Sequence, residues 1–322
     1  MKKFAICEML NIEFPVILAP MFLVSNVEMI IEAGKAGITG AIPALNYRSI
    51  DELRSAIKEI KAANKGPFGI NLIVNQSNFL YKDQLAVCCE EKVDYIITSL
   101  GSPKETIEMA RKSGVKVFCD VTDVVYAKKV ENLGADALIA VNREAGGHSG
   151  KIPMEELIPL LAKACSIPVF SAGGIGSGQG IHNAMELGAE GVSMGSIFIA
   201  SKEAPVSKEY KQACIDYGAK DIVLTTKLSG TPCTVIQTPY VKKIGTKQNA
   251  LERFLNKNKK IKKWLKAFTF FKGMKALQRA AFGSTYKTLW CAGPSIEHVK
   301  SVRTIKEITD QLKSEFSLAN GK

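Results

Sequence analysis

Hydrophobic runs of seven or eight residues recur at nearly even intervals through the first two thirds of the chain. β-branched residues are frequent in them and Gly or Pro bounds many of them, which predicts strands. Between the runs, hydrophobic residues recur every three or four positions, as on one face of a helix. The runs lie at 15–21, 37–44, 67–74, 94–101, 116–122, 137–144, 167–174 and 191–198.

Amphipathic stretches between the runs predict helices, for example at 50–64, 103–114 and 154–165. Gly114 and Gly134 suit helix C-caps. Strands that are hydrophobic on both faces and alternate with helices imply a parallel sheet with right-handed crossovers. Eight such units in succession predict a closed (β/α)₈ barrel. A Rossmann-like open sheet would carry G-x-G-x-x-G after its first strand, whereas this first run ends in Ala-Pro-Met.

Composition indicates a globular protein with one large domain, since 322 residues with 46% hydrophobic content can bury a substantial core. The eight cysteines form no C-x-x-C pair, which favours a reducing compartment. The start of the chain has no long apolar h-region, and no window of about 18 residues is uninterruptedly apolar. We therefore expect a cytoplasmic location.

The positive charge is concentrated in one stretch, residues 241–290, which contains 14 Lys and Arg against one acid, Glu252. The other residues nearly balance, so this stretch accounts for the whole net charge of +12. We predict a barrel domain over 1–225, a helical, lysine-rich cap over 226–294 and a C-terminal segment over 295–322 that packs back on the barrel. Within that last segment, 295–316 has the pattern of one amphipathic helix.

The basic stretch is compatible with three interpretations. It can be a solvated lysine face on a helix that caps the barrel. It can dock an acidic carrier protein or an anionic substrate such as a CoA ester. It can also rest on a membrane surface through Trp264, Phe268 and Phe271. Binding to nucleic acid is not expected, because no nucleic-acid motif accompanies the charge.

Glycine-rich corners follow the last two predicted strands, where barrels of this type commonly bind phosphate. The first corner is Ala172, Gly173 and Gly174, and the second contains Gly195 and Ser196. Glycines let backbone N–H groups approach an anion, and a helix start adds partial positive charge. Glycines that merely permit tight turns are the alternative, but their occurrence after two consecutive strands favours a phosphate site.

His148 ends the region of the sixth strand and follows Gly146 and Gly147, which leave room for a ligand beside it. An imidazole can remove or return a proton near neutral pH, so we expect a catalytic role for His148. We interpret His182 and His298 as ordinary solvated or hydrogen-bonded side chains. The sequence offers neither metal-ligand spacing around His148 nor the G-x-S-x-G of a serine hydrolase.

The motifs PVILAPM, PFGIN, TSLGSP, EAGGHSGK, PVFSAGGI and GAEGVSMGSIF lie between residues 10 and 205. Together they resemble the FMN-dependent nitronate monooxygenase family and its close relative, the flavin-type enoyl-ACP reductase II. The resemblance implies an FMN across the barrel mouth and His148 as the active-site histidine. The residues that it places around FMN are Ala19, Pro20, Met21, Asn71, Gly101, Gly146, Gly147, Ala172, Gly173, Gly174, Gly195 and Ser196.

The resemblance implies two enzyme activities on small molecules. A nitronate monooxygenase would oxidise nitronates or nitroalkanes with FMN and O₂, with His148 as the base. An enoyl-thioester reductase would instead use NAD(P)H to reduce FMN and then an unsaturated acyl chain. A homodimer is compatible with either activity, and a flavin-binding module without turnover is a third reading. One departure is that many monooxygenases place a Lys after the fifth strand, where this chain has Asp120 and Thr122.

Overall fold

The computed structural model describes residues 4–63, 66–75, 78–227, 232–247 and 289–321. In chain order its strands are β1 (Val16–Leu18), β2 (Thr39–Pro43), β3 (Phe68–Ile73), β4 (Tyr95–Ser99), β5 (Lys116–Val121), β6 (Ala137–Val141), β7 (Gly147–His148), β8 (Val169–Ala172), β9 (Val192–Met194), β10 (Ile222–Thr225) and β11 (Cys233–Ile236). Eight of them close into a parallel barrel in the order β1-β2-β3-β4-β5-β6-β8-β9. The predicted (β/α)₈ barrel is confirmed, and each of its strands lies in one of the eight hydrophobic runs.

The helices of the described residues mostly connect successive barrel strands. They are α1 (Ala5–Leu10), α2 (Val27–Lys35), α3 (Ile50–Ala63), α4 (Tyr81–Glu90), α5 (Lys104–Ser113), α6 (Val124–Leu133), α7 (Met154–Ala164), α8 (Gly178–Glu186), α9 (Lys208–Asp216), α10 (Pro239–Ile244) and α11 (Ile305–Ala319). Gly114 and Gly134 end α5 and α6 in the left-handed conformation, as predicted. Across the described ranges, no helix has both the length and the apolarity needed to cross a bilayer.

Aromatic rings fill the lower interior of the barrel. Tyr95 stacks on Phe118 with 4.8 Å between ring centroids, and Phe118 meets Phe170 edge to face at 5.3 Å. The Tyr95 hydroxyl donates a hydrogen bond to the Gly40 carbonyl at 3.0 Å, which satisfies its polar group inside the barrel. Ile6 of α1 packs against the same cluster. This packing fills one end of the barrel, so the open part of the barrel interior lies near the carboxyl ends of the strands.

A second, antiparallel sheet of order β10-β11-β7 lies beside the barrel mouth. Its central strand, Cys233–Ile236, falls inside the segment that we expected to be helical, so the expectation was wrong at these residues. The run is only four residues long, and periodicity alone does not separate so short a run from helix. The predicted basic helix with Trp264, Phe268 and Phe271 lies outside the described residues.

The C-terminal helix begins at Ile305 and not at residue 295, as the amphipathic pattern had predicted. Thr304 caps it, because its side chain accepts from the Glu307 amide while the Glu307 carboxylate accepts from the Thr304 amide. Pro294–His298 form a separate 3₁₀ turn, and Arg303 makes a bridge to Ser201 in extended conformation. The helix packs on α8 and α2.

Replacing Gly69 with Ala should destabilise the barrel, because the added Cβ would lie 2.2 Å from a ring carbon of Tyr95. That ring cannot move away easily, since it is stacked and hydrogen-bonded. We expect Gly69→Ala to lower the free energy of unfolding by about 1–3 kcal/mol, measured by urea denaturation. The control is Gly180→Ala in α8, where the new Cβ would lie 3.4 Å from its nearest neighbours, Ile175 Cγ2 and Ser177 Oγ, an ordinary contact distance. This control should be neutral or stabilising by about 0.5–1 kcal/mol; equal losses in both variants would contradict the steric explanation.

Candidate active site

One cavity of about 710 Å³ opens at the carboxyl ends of the barrel strands. Its size lies in the ordinary range for small-molecule sites, and its lining is mainly apolar with a few polar groups. All thirteen residues that the sequence analysis proposed for catalysis or cofactor binding line this cavity. They are Ala19, Pro20, Met21, Asn71, Gly101, Gly146, Gly147, His148, Ala172, Gly173, Gly174, Gly195 and Ser196. His182 and His298 do not line it.

The corner after β8 requires glycine. Gly173 has φ 117°, and a Cβ there would lie 2.2 Å from Asn142 Oδ1 and 2.6 Å from the Ala145 nitrogen. The buried Asn142 also donates from Nδ2 to the Gly173 carbonyl at 3.0 Å. The loop after β6 therefore packs directly on the corner after β8, which fixes the corner's backbone against the cavity.

The backbone amides of the two corners are used in different ways. The Gly174 amide donates to the Glu144 carbonyl at 3.1 Å, so it serves the turn itself. The amides of Gly173, Gly195 and Ser196 have no hydrogen-bond acceptor within the described parts of the chain. Ser196 Oγ accepts from the Gly293 amide at 2.8 Å, and its own hydroxyl proton remains to donate. Unsatisfied amides at a cavity wall suit an anionic ligand.

The turn after β1 is held against the corner after β9. The Ala19 amide donates to the Met194 carbonyl at 2.8 Å. Ser25 Oγ donates to the Ala19 carbonyl at 3.0 Å and accepts from the Met21 amide at 2.9 Å. A Cβ on Gly195 would meet Met21 Sδ at 3.2 Å, so the two turns are in close contact.

His148 is positioned by β-sheet pairing, because it stands opposite Cys233 in the ladder between β7 and β11. Thr234 Oγ1 donates to the Ala145 carbonyl at 2.8 Å and so holds the turn that precedes β7. His148 is exposed at the cavity that it lines, and the protein packed around the ring displaces part of its water. This partial desolvation lowers the pKa of His148, so the ring is neutral at neutral pH and can accept a proton.

The two glycines before His148 have different surroundings. A Cβ on Gly147 would meet nothing within 4 Å, as expected if the residue leaves room for a ligand. Gly147 also has φ 77°, which favours glycine. At Gly146 the space is taken by the protein, since a Cβ would lie 2.9 Å from the Gly293 nitrogen and from Ser196 Oγ.

Leu289 and Cys291, in the segment 289–293, line a wall of the cavity that sequence reasoning missed. Trp290 stacks on Tyr210 with ring planes 9° apart, and the Tyr210 hydroxyl donates to the Cys291 carbonyl at 2.5 Å. Cys291 is bridged to Val235 of β11. The signal available beforehand was the run of three β-branched residues, Thr234, Val235 and Ile236, which predicts a strand that needs a pairing partner.

The opposite side of the cavity carries Asn71, Gly101, Asp120 and Thr122. A Cβ on Gly101 would lie 2.6 Å from the Val74 carbonyl, which explains the glycine. Burial raises the pKa of Asp120 to about 6, although a hydrogen bond from Ser99 acts in the opposite direction. Such a carboxyl changes charge near neutral pH, which is common at functional sites.

Comparisons with known proteins agree on one family. The family model described as "Nitronate monooxygenase" matches residues 3–82 and 75–315. The "(3aS,4S,5R,7aS)-5-hydroxy-7a-methyl-1-oxo-octahydro-1H-indene-4-carboxyl-CoA dehydrogenase" of Rhodococcus jostii is 31% identical, and the match covers 74% of this chain. That match covers 66% of the relative's own length, so the chain spans just under two thirds of it. The nitronate monooxygenase of Paraburkholderia phytofirmans is 29% identical, with 71% and 75% of the two chains covered.

Two solved structures share the fold across the whole chain. FabK from Thermotoga maritima has a TM-score of 0.87 and 29% identity, with 100% of this chain and 98% of that chain covered. Nitroalkane oxidase from Streptomyces ansochromogenes has a TM-score of 0.83 over 98% and 99% of the two chains, and its 22% identity shows the fold alone. Because the family model matches nearly all of the chain, this protein belongs to the nitronate monooxygenase family of oxidoreductases.

Proposed function

We propose that the protein is an FMN-dependent oxidoreductase that oxidises nitronates or nitroalkanes with O₂, with His148 as the active-site base. The observation that carries the proposal is one cavity that is lined both by unsatisfied backbone amides and by a neutral imidazole. Family membership supports the same reaction class.

The residues present fit the phosphate end of FMN. The amides of Gly173, Gly195 and Ser196 can donate to phosphate oxygens, and the Ser196 hydroxyl can add a further bond. Gly174 would contribute through the shape of the turn and not through its amide, which the Glu144 carbonyl already occupies. No side chain at these corners would obstruct the approach of the anion, since three of the five positions are glycine.

The rest of the cavity suits the remainder of the cofactor and a small substrate. Ala19, Pro20 and Met21 offer backbone and apolar surface on one side, and Asn71 offers its carbonyl Oδ1 on the other. When bound, FMN supplies two-electron redox chemistry and reactivity with O₂.

His148 is suited to take the proton from the carbon that bears the nitro group. The turn before it is fixed by Thr234, and its ladder partner Cys233 sets its direction. Desolvation lowers the pKa of the imidazole, so at neutral pH the ring is neutral. One of its two nitrogens then carries no proton and can accept the proton from the substrate.

Reduction of an enoyl thioester with NAD(P)H is the second candidate function. It is favoured by the Rhodococcus jostii relative, whose name states a CoA thioester substrate, and by the similarity to FabK along the whole chain. In that case the lysine-rich stretch 241–290 would attract the acidic carrier protein or CoA. The two candidates share the FMN site and differ in the source of electrons.

Purified protein should be yellow, and denaturation should release FMN that contains phosphate. Anaerobic stopped-flow mixing then separates the two functions. We expect a nitronate to bleach the flavin and NAD(P)H to leave it oxidised. Rapid bleaching by NAD(P)H, followed by reoxidation with crotonyl thioester, would instead establish the reductase. Colourless protein that takes up no added FMN would contradict both.

Replacing Gly174 with Asp should weaken FMN binding, because it adds a negative charge at the corner proposed for the cofactor phosphate, beside Glu144, whose Cβ would lie 3.0 Å from the new Cβ. Gly174 has φ 75°, so any side chain adds strain and the matched control is Gly174→Ala. Asp tolerates this conformation better than Ala, so strain alone would make Ala the worse substitution. We expect a larger increase in the dissociation constant for FMN with Asp than with Ala, measured by fluorescence quenching. The reverse order would argue against an anion at this corner.

Replacing His148 with Ala should lower turnover of a neutral nitroalkane by about 10²- to 10⁴-fold while FMN stays bound. Wild-type turnover should rise with pH through the lowered pKa of His148 and be level at neutral pH, because only the neutral imidazole accepts the proton. The matched control is His182→Ala on α8, which lies outside the cavity and should keep full activity. Unchanged turnover in His148→Ala would remove this residue from the mechanism.

A further inference from the structure

A one-way chain of hydrogen bonds crosses three neighbouring strands in the cavity wall. Asn71 Nδ2 on β3 donates to Ser99 Oγ on β4 at 2.8 Å, and Ser99 Oγ donates to Asp120 Oδ2 on β5 at 2.5 Å. Asn71 Nδ2 also donates to the Ile97 carbonyl at 3.1 Å, which can only accept, so the orientation of the amide is determined. Since Ser99 accepts from Asn71, its single proton is directed to Asp120.

In this arrangement Asp120 Oδ2 accepts the hydrogen bond from Ser99, and the Asp120 residue lines the cavity. The other titratable groups around it are Lys129 and Tyr126 of α6, Cys119 beside it on β5, and His148 across the cavity. The Tyr126 hydroxyl donates to the Gly101 carbonyl and the Cys119 sulfur accepts from Thr98, so both are engaged elsewhere. Among the described residues, no salt bridge joins Asp120 to a lysine or arginine.

The position of the chain of bonds in the barrel indicates which part of a ligand it would meet. In the closed order of strands, β3 and β4 lie across the barrel from β8 and β9, and β5 is the next strand after β4. A ligand whose anionic end binds the corners after β8 and β9 therefore extends its other end toward Asn71, Ser99 and Asp120. For FMN, that other end is the ring system that accepts electrons.

We propose that Asp120 contacts the ring system of bound FMN and binds a proton more readily when that FMN is reduced. The proposal rests on the proposed function, because it requires FMN in the cavity. The electrons come from the substrate or from an added reductant, and the proton comes from solvent and forms one O–H bond on the carboxyl. The physical reason is that reduction places negative charge near a carboxylate, which favours the protonated form of Asp120.

Reduction of FMN and protonation of Asp120 are thermodynamically linked. The factor by which reduction strengthens proton binding to Asp120 is therefore also the factor by which the ionised carboxylate disfavours reduced FMN relative to oxidised FMN. Burial raises the pKa of Asp120 to about 6, so the group is mostly neutral at pH 5 and mostly ionised at pH 8 before reduction. The ionised carboxylate therefore disfavours reduction of FMN at pH 8 but not at pH 5.

The test compares wild-type protein with Asp120→Asn, each loaded with FMN and titrated with dithionite against a redox dye from pH 5 to pH 8. Asn is nearly isosteric and can still accept from Ser99. At pH 8 we expect the variant to hold a ratio of reduced to oxidised FMN about tenfold higher than wild type at the same potential. At pH 5 the two ratios should coincide.

The matched control is Asp123→Asn, the same change three residues away. Asp123 is exposed and caps α6 by accepting from the Tyr126 amide at 2.8 Å, a role that Asn also performs. This control should follow wild type at every pH. A second readout, ¹³C NMR of the aspartate carboxyls in FMN-free protein, should show one signal that titrates near pH 6 and is lost only in Asp120→Asn.

The outcomes separate this proposal from the proposed function. Protein that binds no FMN overturns both. Protein that binds FMN, but in which wild type and Asp120→Asn show the same ratio from pH 5 to pH 8, overturns the role of Asp120 alone. A carboxyl signal that titrates near pH 4 in the wild type would also overturn it.

Discussion

Side chains have to fill the interior of a closed barrel of eight parallel strands. The rest of this structure depends on how far along the barrel axis that packing extends. Tyr95, Phe118 and Phe170 occupy the lower interior, and α1 covers it from below. The larger side chains end there, and above them stand Ala19, Ala172 and the polar residues Asn71 and Asp120. The strand ends therefore surround an open space, which is lined by residues from the ends of the barrel strands and from loops that follow them.

The loop that carries His148 is supported from two sides by chain segments that lie far from it in sequence. On one side β11 pairs with β7, and Thr234 binds the carbonyl of Ala145. On the other side the backbone of Gly293 packs against Gly146, and its amide binds Ser196. A histidine in a glycine-rich loop is thus held in one place, although its own loop has few side chains to hold it.

The alternation of hydrophobic runs with amphipathic stretches was sufficient to predict the barrel, because burial on both faces is characteristic of parallel strands. The positions after the later strands likewise pointed to His148 and the two glycine corners, whereas the family resemblance supplied Ala19, Pro20, Met21, Asn71 and Gly101; all of them line the cavity. Periodicity could not predict β11 or the wall at 289–293, since a four-residue run has no resolvable period and its partner, Cys291, is remote. The start of α11 was also missed, because the capping pair Thr304 and Glu307 decides it and not the hydrophobic pattern.

The pairing of β11 with the chain near Cys291 has a consequence for how the loop that carries His148 is supported. Val235 bridges Cys291, and the Ile236 amide donates to the Trp290 carbonyl at 2.9 Å, so the intervening excursion departs and returns at neighbouring points. The strand that pairs with β7 is therefore itself tied to the chain near Cys291, and the Gly293 amide binds Ser196 Oγ, so the place of the imidazole depends on chain from both ends of this stretch.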